Sequence, residues 1–133
     1  MKKIAPVLLV MICLGTAGCF PKSVGSGAEA VPDDSYVVEE YYAKVLDNIK
    51  DKMLECEQYR YSSRTHLDSG RRVANYVIFG GLGAVVFKAD LLYQGDKSTA
   101  VNVYTNQNDA EWAVVIETVR RGAFNAPGCP AKD

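Results

Sequence analysis

Histidine occurs once in this chain, as His66, and tryptophan once, as Trp112. A single imidazole removes the usual means of building a histidine-based catalytic pair or a multi-histidine metal centre. Neither sign of charge dominates: Lys and Arg number 15, Asp and Glu 16, and the net charge is −1. That balance argues against nucleic acid as a partner, because nucleic-acid-binding domains carry a strongly basic face. No apolar run approaches the roughly 20 residues that a membrane-spanning helix needs. The run from Ile4 to Leu14 is too short and carries Pro6, and Ala84-Val85-Val86-Phe87 is ended by Lys88. Catalytic signatures are missing as well. There is no Gly-x-Ser-x-Gly, no His-Glu pattern, no Cys-x-x-Cys and no carboxylate pair at a telling spacing. Gly80-Gly81-Leu82-Gly83 leads into β-branched residues and not into a helix with Lys-Ser, so it reads as a hairpin turn, not a phosphate loop. These gaps put an enzyme last among the function classes. No cofactor and no metal site are expected.

What is present begins at the amino terminus. Met1-Lys2-Lys3 is a positive start, Ile4 to Leu14 is an apolar core, and Leu14-Gly15-Thr16-Ala17-Gly18-Cys19 supplies small residues before a cysteine. This segment resembles the signal peptide and lipobox of bacterial lipoproteins. Thr16 stands where that pattern favours Leu, Val or Ile. The resemblance implies that residues 1–18 are removed and that Cys19 becomes a lipidated first residue. The same residues also suit an ordinary signal peptide cut after Ala17 or Gly18. Acylation anchors because each buried CH₂ contributes about 0.8 kcal/mol, and two or more chains make the attachment stable. Phe20 follows the cysteine where an Asp would imply retention at the inner membrane, so the resemblance implies the outer membrane. With Cys13 removed and Cys19 acylated, Cys56 and Cys129 are left as an even pair in an oxidising compartment, and a disulfide between them is expected.

Residues 19–32 are rich in Gly, Ser, Ala and Pro without apolar period, and read as a tether. A flexible coil of that length has an r.m.s. reach of about 20 Å. One domain, residues 33–133, follows. From about Asp34 to Glu57 the spacing predicts a helix capped by Asp33, Asp34 or Ser35. Val38, Tyr42, Val45, Ile49, Met53 and Cys56 fall within a stripe roughly 60° wide at 100° per residue. Tyr59 to Leu67 alternates weakly, as an edge strand would. Val73 to Phe79, Ala84 to Gln94 and Thr99 to Thr105 read as strands joined by short turns. Asn108 and Glu111 have capping-box spacing for a second helix with Trp112, Val115, Ile116, Val119 and Ala123 on one face and Gly122 at its end. The β-branched content of residues 112–119 also permits a strand. The expected class is α+β: an antiparallel sheet of three or four strands with both helices on one face.

In Ala84 to Gln94 the alternation sends Val85, Phe87, Ala89, Leu91 and Tyr93 to one side; in the following strand Val101 and Val103 join them. The other side would show Tyr76, Ile78, Val86, Lys88, Asp90, Leu92, Asn102 and Tyr104, more apolar than a wetted face requires. Tyr76, Lys88, Asp90, Asn102 and Tyr104 are the expected partner-binding residues. Arg60, Arg64, Arg71 and Arg72, with Tyr59 and Tyr61 between, form a local basic patch suited to anionic headgroups or to protecting an edge strand. The expected function is that of a lipid-anchored, non-enzymatic binding or assembly module of the cell envelope with a protein partner. A surface-displayed inhibitor or small-ligand binder using Gly80–Gly83 or Gly95–Ser98 is the alternative.

Overall fold

The computed structural model describes residues 31–58, 61–106 and 110–131. Cys19, the leader, nearly all of the tether, Tyr59, Arg60 and the Asn108 cap lie outside the described residues. The elements are β1 (Asp34–Val38), α1 (Tyr42–Glu55), β2 (Ser62–Asp68), β3 (Val73–Phe79), β4 (Val85–Gly95), β5 (Ser98–Thr105) and α2 (Ala110–Ala123). They form one antiparallel sheet in the order β1-β5-β4-β3-β2, with both helices packed on one face. The class is α+β, as expected.

The sheet has five strands, not three or four, and the additional one is formed by the amino-terminal part of the expected first helix. Asp34–Val38 pairs antiparallel with Val103–Thr99. Its alternation buries Tyr36 and Val38 and leaves Ser35 and Val37 exposed, and its aromatic and β-branched residues suit a pleated surface. Pairing also satisfies backbone groups of β5 that would otherwise be bare. Val38 fitted the helical stripe because it is buried, but it reaches the core from a strand. The chain then turns through a Glu40 N–H to Val38 O bond of 2.9 Å. The buried Thr99 hydroxyl donates to the Glu40 carbonyl at 2.6 Å. Only at Tyr42 does α1 begin, and Asp33, Asp34 and Ser35 cap nothing.

The remaining stripe of α1, Tyr42, Val45, Ile49 and Met53, is buried together with Leu46. The helix ends when Glu57 adopts φ of 60°. Gln58 N–H then bonds Met53 O at 2.8 Å and Glu57 N–H bonds Leu54 O at 3.2 Å, a Schellman closure made without glycine. Residues 110–123 are helix, which excludes the strand reading of 112–119. A period of 3.6 places Trp112, Val115, Val119 and Ala123 on the core beside α1, where the sheet face still needs cover. Gly122, expected to end this helix, is buried inside it. Asn125 at φ of 52° makes the stop, with Ala126 N–H on Arg121 O at 2.8 Å.

Cys56, the cap of α1, is bonded to Cys129 in the segment after α2, with a Cα–Cα distance of 5.6 Å. Lys52 Nζ adds a hydrogen bond to the Gly128 carbonyl at 3.3 Å. The bridge spans a sequence separation of 73, and loop-closure entropy for such a span corresponds to about 4.5 kcal/mol.

Candidate functional site

Cross-strand register sets which side chains share a face. Tyr36, Val101, Leu91 and Ala74 lie directly opposite one another across four strands, and Val103, Ala89 and Tyr76 do the same one step along. These are the helix-covered positions, and all are buried. Phe87, Ala89, Leu91, Val101 and Val103 therefore face the core, as their alternation indicates.

Tyr76 and Ile78 are corrections. Tyr76 pairs with Ala89 and Ile78 with Phe87, so both point under the helices, with exposures of 5% and 0%. Tyr76 is therefore not part of the open face. In Val73–Phe79 both alternate sets are apolar, so the local pattern does not choose a phase. The choice is made by pairing with β4, where a register shift between Ile78 and Phe79 accommodates the bulge. Val86 at this irregularity packs against the core as well.

Lys88, Asp90, Asn102 and Tyr104 are brought together on the uncovered face, where among the described residues no helix lies. Three rows cross it. Ser35, Asn102, Asp90, Asn75 and His66 form a polar middle row over all five strands. On one side run Tyr104, Lys88, Val77 and Arg64; on the other run Val37, Ala100, Leu92, Val73 and Asp68. Lys88 Nζ lies 3.2 Å from Asp90 Oδ2 and 5.2 Å from the centroid of the Tyr104 ring. Ser35 Oγ donates to Asn102 Oδ1 at 2.7 Å. Arg64 extends over the Phe79 ring at 5.4 Å. The last row is apolar except for Asp68 at its β2 end, and leaves Val37 and Leu92 partly in water. Such a face offers an aromatic ring, a tethered ion pair, amides with free capacity and an aliphatic strip. That mixture suits protein recognition, where rings supply area and amides supply direction. Ser35, Asn75 and His66 were missed because their place in the middle row depends on strand pairing.

A second concavity lies on the opposite layer, between the carboxy-terminal half of α1 and β2. It measures about 420 Å³ and is lined by Met53, Leu54, Gln58, Ser63, Thr65 and Tyr76, with charged residues at its margin. Gln58 is 1% exposed and its Oε1 accepts no hydrogen bond. Burial raises the Tyr76 phenol above its ordinary pKa, against a smaller opposite effect of a hydrogen bond with Ser63. Glu55, Cys56 and Cys129 bring potential ligand atoms within 4.8 Å of one another. The sulfurs are bonded to each other, which leaves no thiolate for a cation.

At the end of the sheet where the described chain enters, Asp33 Oδ2 accepts the Thr105 N–H at 2.8 Å. The Gly81–Gly83 turn between β3 and β4 lies at that same end, and its Leu82 is 95% exposed with φ of 62°. Val31 is exposed there as well. No described helix is long and apolar enough to cross a membrane. Comparison of the chain with protein-family models, curated proteins and solved structures finds no match.

Proposed function

We propose that this protein is a lipid-anchored, non-enzymatic module of the cell envelope that binds a protein partner through its open sheet face. The observation that carries this reading is the uncovered face, with Tyr104, Lys88, Asp90 and Asn102 set beside an aliphatic strip. The amino-terminal resemblance supports an anchor at Cys19, in the outer membrane. Chain entry and the exposed Leu82 share one pole of the sheet, so a tether at that pole leaves the face free to dock. The reading has two separable tests. Mass spectrometry of the mature amino terminus should find a diacylglyceryl group on Cys19; a bare terminus on a soluble protein would remove the anchor. A photo-crosslinking residue at Tyr104 should yield one discrete adduct in the intact envelope, and the same residue at exposed Lys44 on α1 should not. Identical patterns from both positions, or none from Tyr104, would remove the docking face.

A further inference from the structure

β2 (Ser62–Asp68) closes one side of the sheet: it pairs with β3, and among the described residues nothing pairs with its outer side. Exposed edges are normally blunted by charges of one sign, proline, a bulge or a covering loop, because their bare N–H and C=O groups accept another strand. The charges of β2 are of both signs, Arg64 and Asp68, and so can pair across a two-fold instead of repelling. β2 has no proline, and its seven residues run in unbroken register with β3. Beside this edge, on the helix layer, Leu67 is 43% exposed, and Leu54 of α1 is 67% exposed.

We propose that β2 is the contact of a homodimer, in which two copies pair their β2 strands antiparallel about His66. Placing His66 opposite its counterpart sets Arg64 against Asp68 of the second copy, and by symmetry this happens twice. The same register sets Thr65 against Leu67 of the second copy, also twice. Arg64, His66 and Asp68 belong to the open face, whereas Thr65 and Leu67 belong to the helix face. Thr65 lines the groove under α1, together with Met53, Leu54 and Tyr76. Leu67 of each copy therefore enters the other's groove, and the concavity is completed by the partner. Charge complementarity on one face and an apolar fit on the other thus select one register from separate sets of residues. Moving the dyad to Thr65 would set Arg64 against His66 and leave Asp68 opposite Ser62, with no opposite charges paired. Asp68 Oδ1 already accepts the Arg71 N–H at 3.0 Å, and Oδ2 lies 3.8 Å from the exposed Arg71 Nε, too far for a hydrogen bond, so the carboxylate retains acceptor capacity for the Arg64 guanidinium. Pairing also merges the two five-stranded sheets into one, with their open faces continuous.

The test is sedimentation of the purified full chain in detergent. The parent chain should sediment with the protein mass of two copies. Arg64→Asp and Asp68→Arg, each alone, should weaken association by about tenfold or more, since each sets like charges opposite. An equimolar mixture of the two variants should recover the dimer, because every 64–68 pair then carries opposite charges. A parent chain that stays single at its highest soluble concentration would overturn the proposal. So would a dimer indifferent to both reversals, or variants that do not complement on mixing. If Asp68→Arg disturbs the β2–β3 turn enough to unfold the domain, His66→Cys gives an independent reading. Mild oxidation should then join two copies through position 66, to a level well above the parent chain, and failure to cross-link would equally defeat the idea.

Discussion

Gly122→Ala should destabilise the domain although it improves the helix in which it lies. A Cβ built on Gly122 falls 2.9 Å from Ile49 Cα, 3.0 Å from the Asn48 carbonyl oxygen and 2.8 Å from Lys52 Cβ. Two of those atoms are α1 backbone, which cannot rotate out of the way. Ile49 Cα would have to move from 2.9 Å to the 3.4 Å of ordinary contact, carrying α1 with it. Neither helix is free to retreat, because Ile49, Val115 and Val119 are all fully buried against the sheet. Overpacking of this kind costs about 1–3 kcal/mol, and contact with two backbone atoms of α1 places it in the upper half of that range. Alanine returns at most about 1 kcal/mol of helix propensity, and less in the last turn. The net expectation is a loss of about 1–2 kcal/mol, or a fall of about 5–15 °C in Tm for a domain of this size. Urea titration of the oxidised protein measures it directly. A peptide of residues 108–126 supplies the contrast, since there the same substitution should raise helicity. A domain that becomes more stable on Gly122→Ala would show that the helices do not meet at this glycine, and the steric reasoning would fail.

Two further outcomes concern the bridge and a buried phenol. Cys56→Ser or Cys129→Ser should lower stability by about 2–5 kcal/mol, measured by denaturant titration, with the carboxy-terminal segment losing hydrogen-exchange protection first; unchanged stability would mean that the Lys52 contact alone holds that segment. Tyr36 is buried with its hydroxyl unpartnered, and burial, then the nearby Asp34 carboxylate, hold its pKa well above the ordinary phenol range against the opposing Arg120. Its neutral form is thus favoured in the fold, so its contribution is complete below pH 10 and is lost as pH rises above the unfolded value. Tyr36→Phe should therefore flatten part of the alkaline fall in Tm and, by deleting an unsatisfied hydroxyl, leave the protein as stable or about 1 kcal/mol more stable at pH 7. A variant that is clearly less stable at neutral pH would show that the hydroxyl has a partner.

Much of the architecture is local in origin and legible without coordinates. The β2–β5 meander follows from strand-forming runs separated by Asp68-Ser69-Gly70, Gly80–Gly83 and Gly95–Ser98, whose turn residues allow neighbouring strands to pair. The core face of β4 and β5 follows from alternation, because Lys88, Asp90 and Asn102 admit one inward phase. The core stripe of α1 from Tyr42 onwards follows from spacing; the Cys56–Cys129 bond was expected only on the lipoprotein resemblance, which sets Cys13 and Cys19 aside.

Tertiary structure decided what local pattern leaves degenerate. Asp34–Val38 carries cap residues and a stripe position that suit a helix, and only a vacant edge on β5 makes it a strand. Tyr76 sits in a strand with two apolar faces, so its burial was settled by pairing with Ala89 across β4. That one phase moved it from the open face to the floor of the groove under α1. Gly122 looked like a helix terminator until α1 was laid across it, when its missing side chain became the condition for the two helices to touch. His66 illustrates the same limit: its type is plain in the chain, but its place on the outermost strand of the described sheet, opposite Asn75 and flanked by Arg64 and Asp68 on one face, exists only once β2 and β3 are paired. Hydrophobic period and turn chemistry act within a few residues and so are written in order along the chain, whereas edge, phase and close approach depend on partners dozens of residues away.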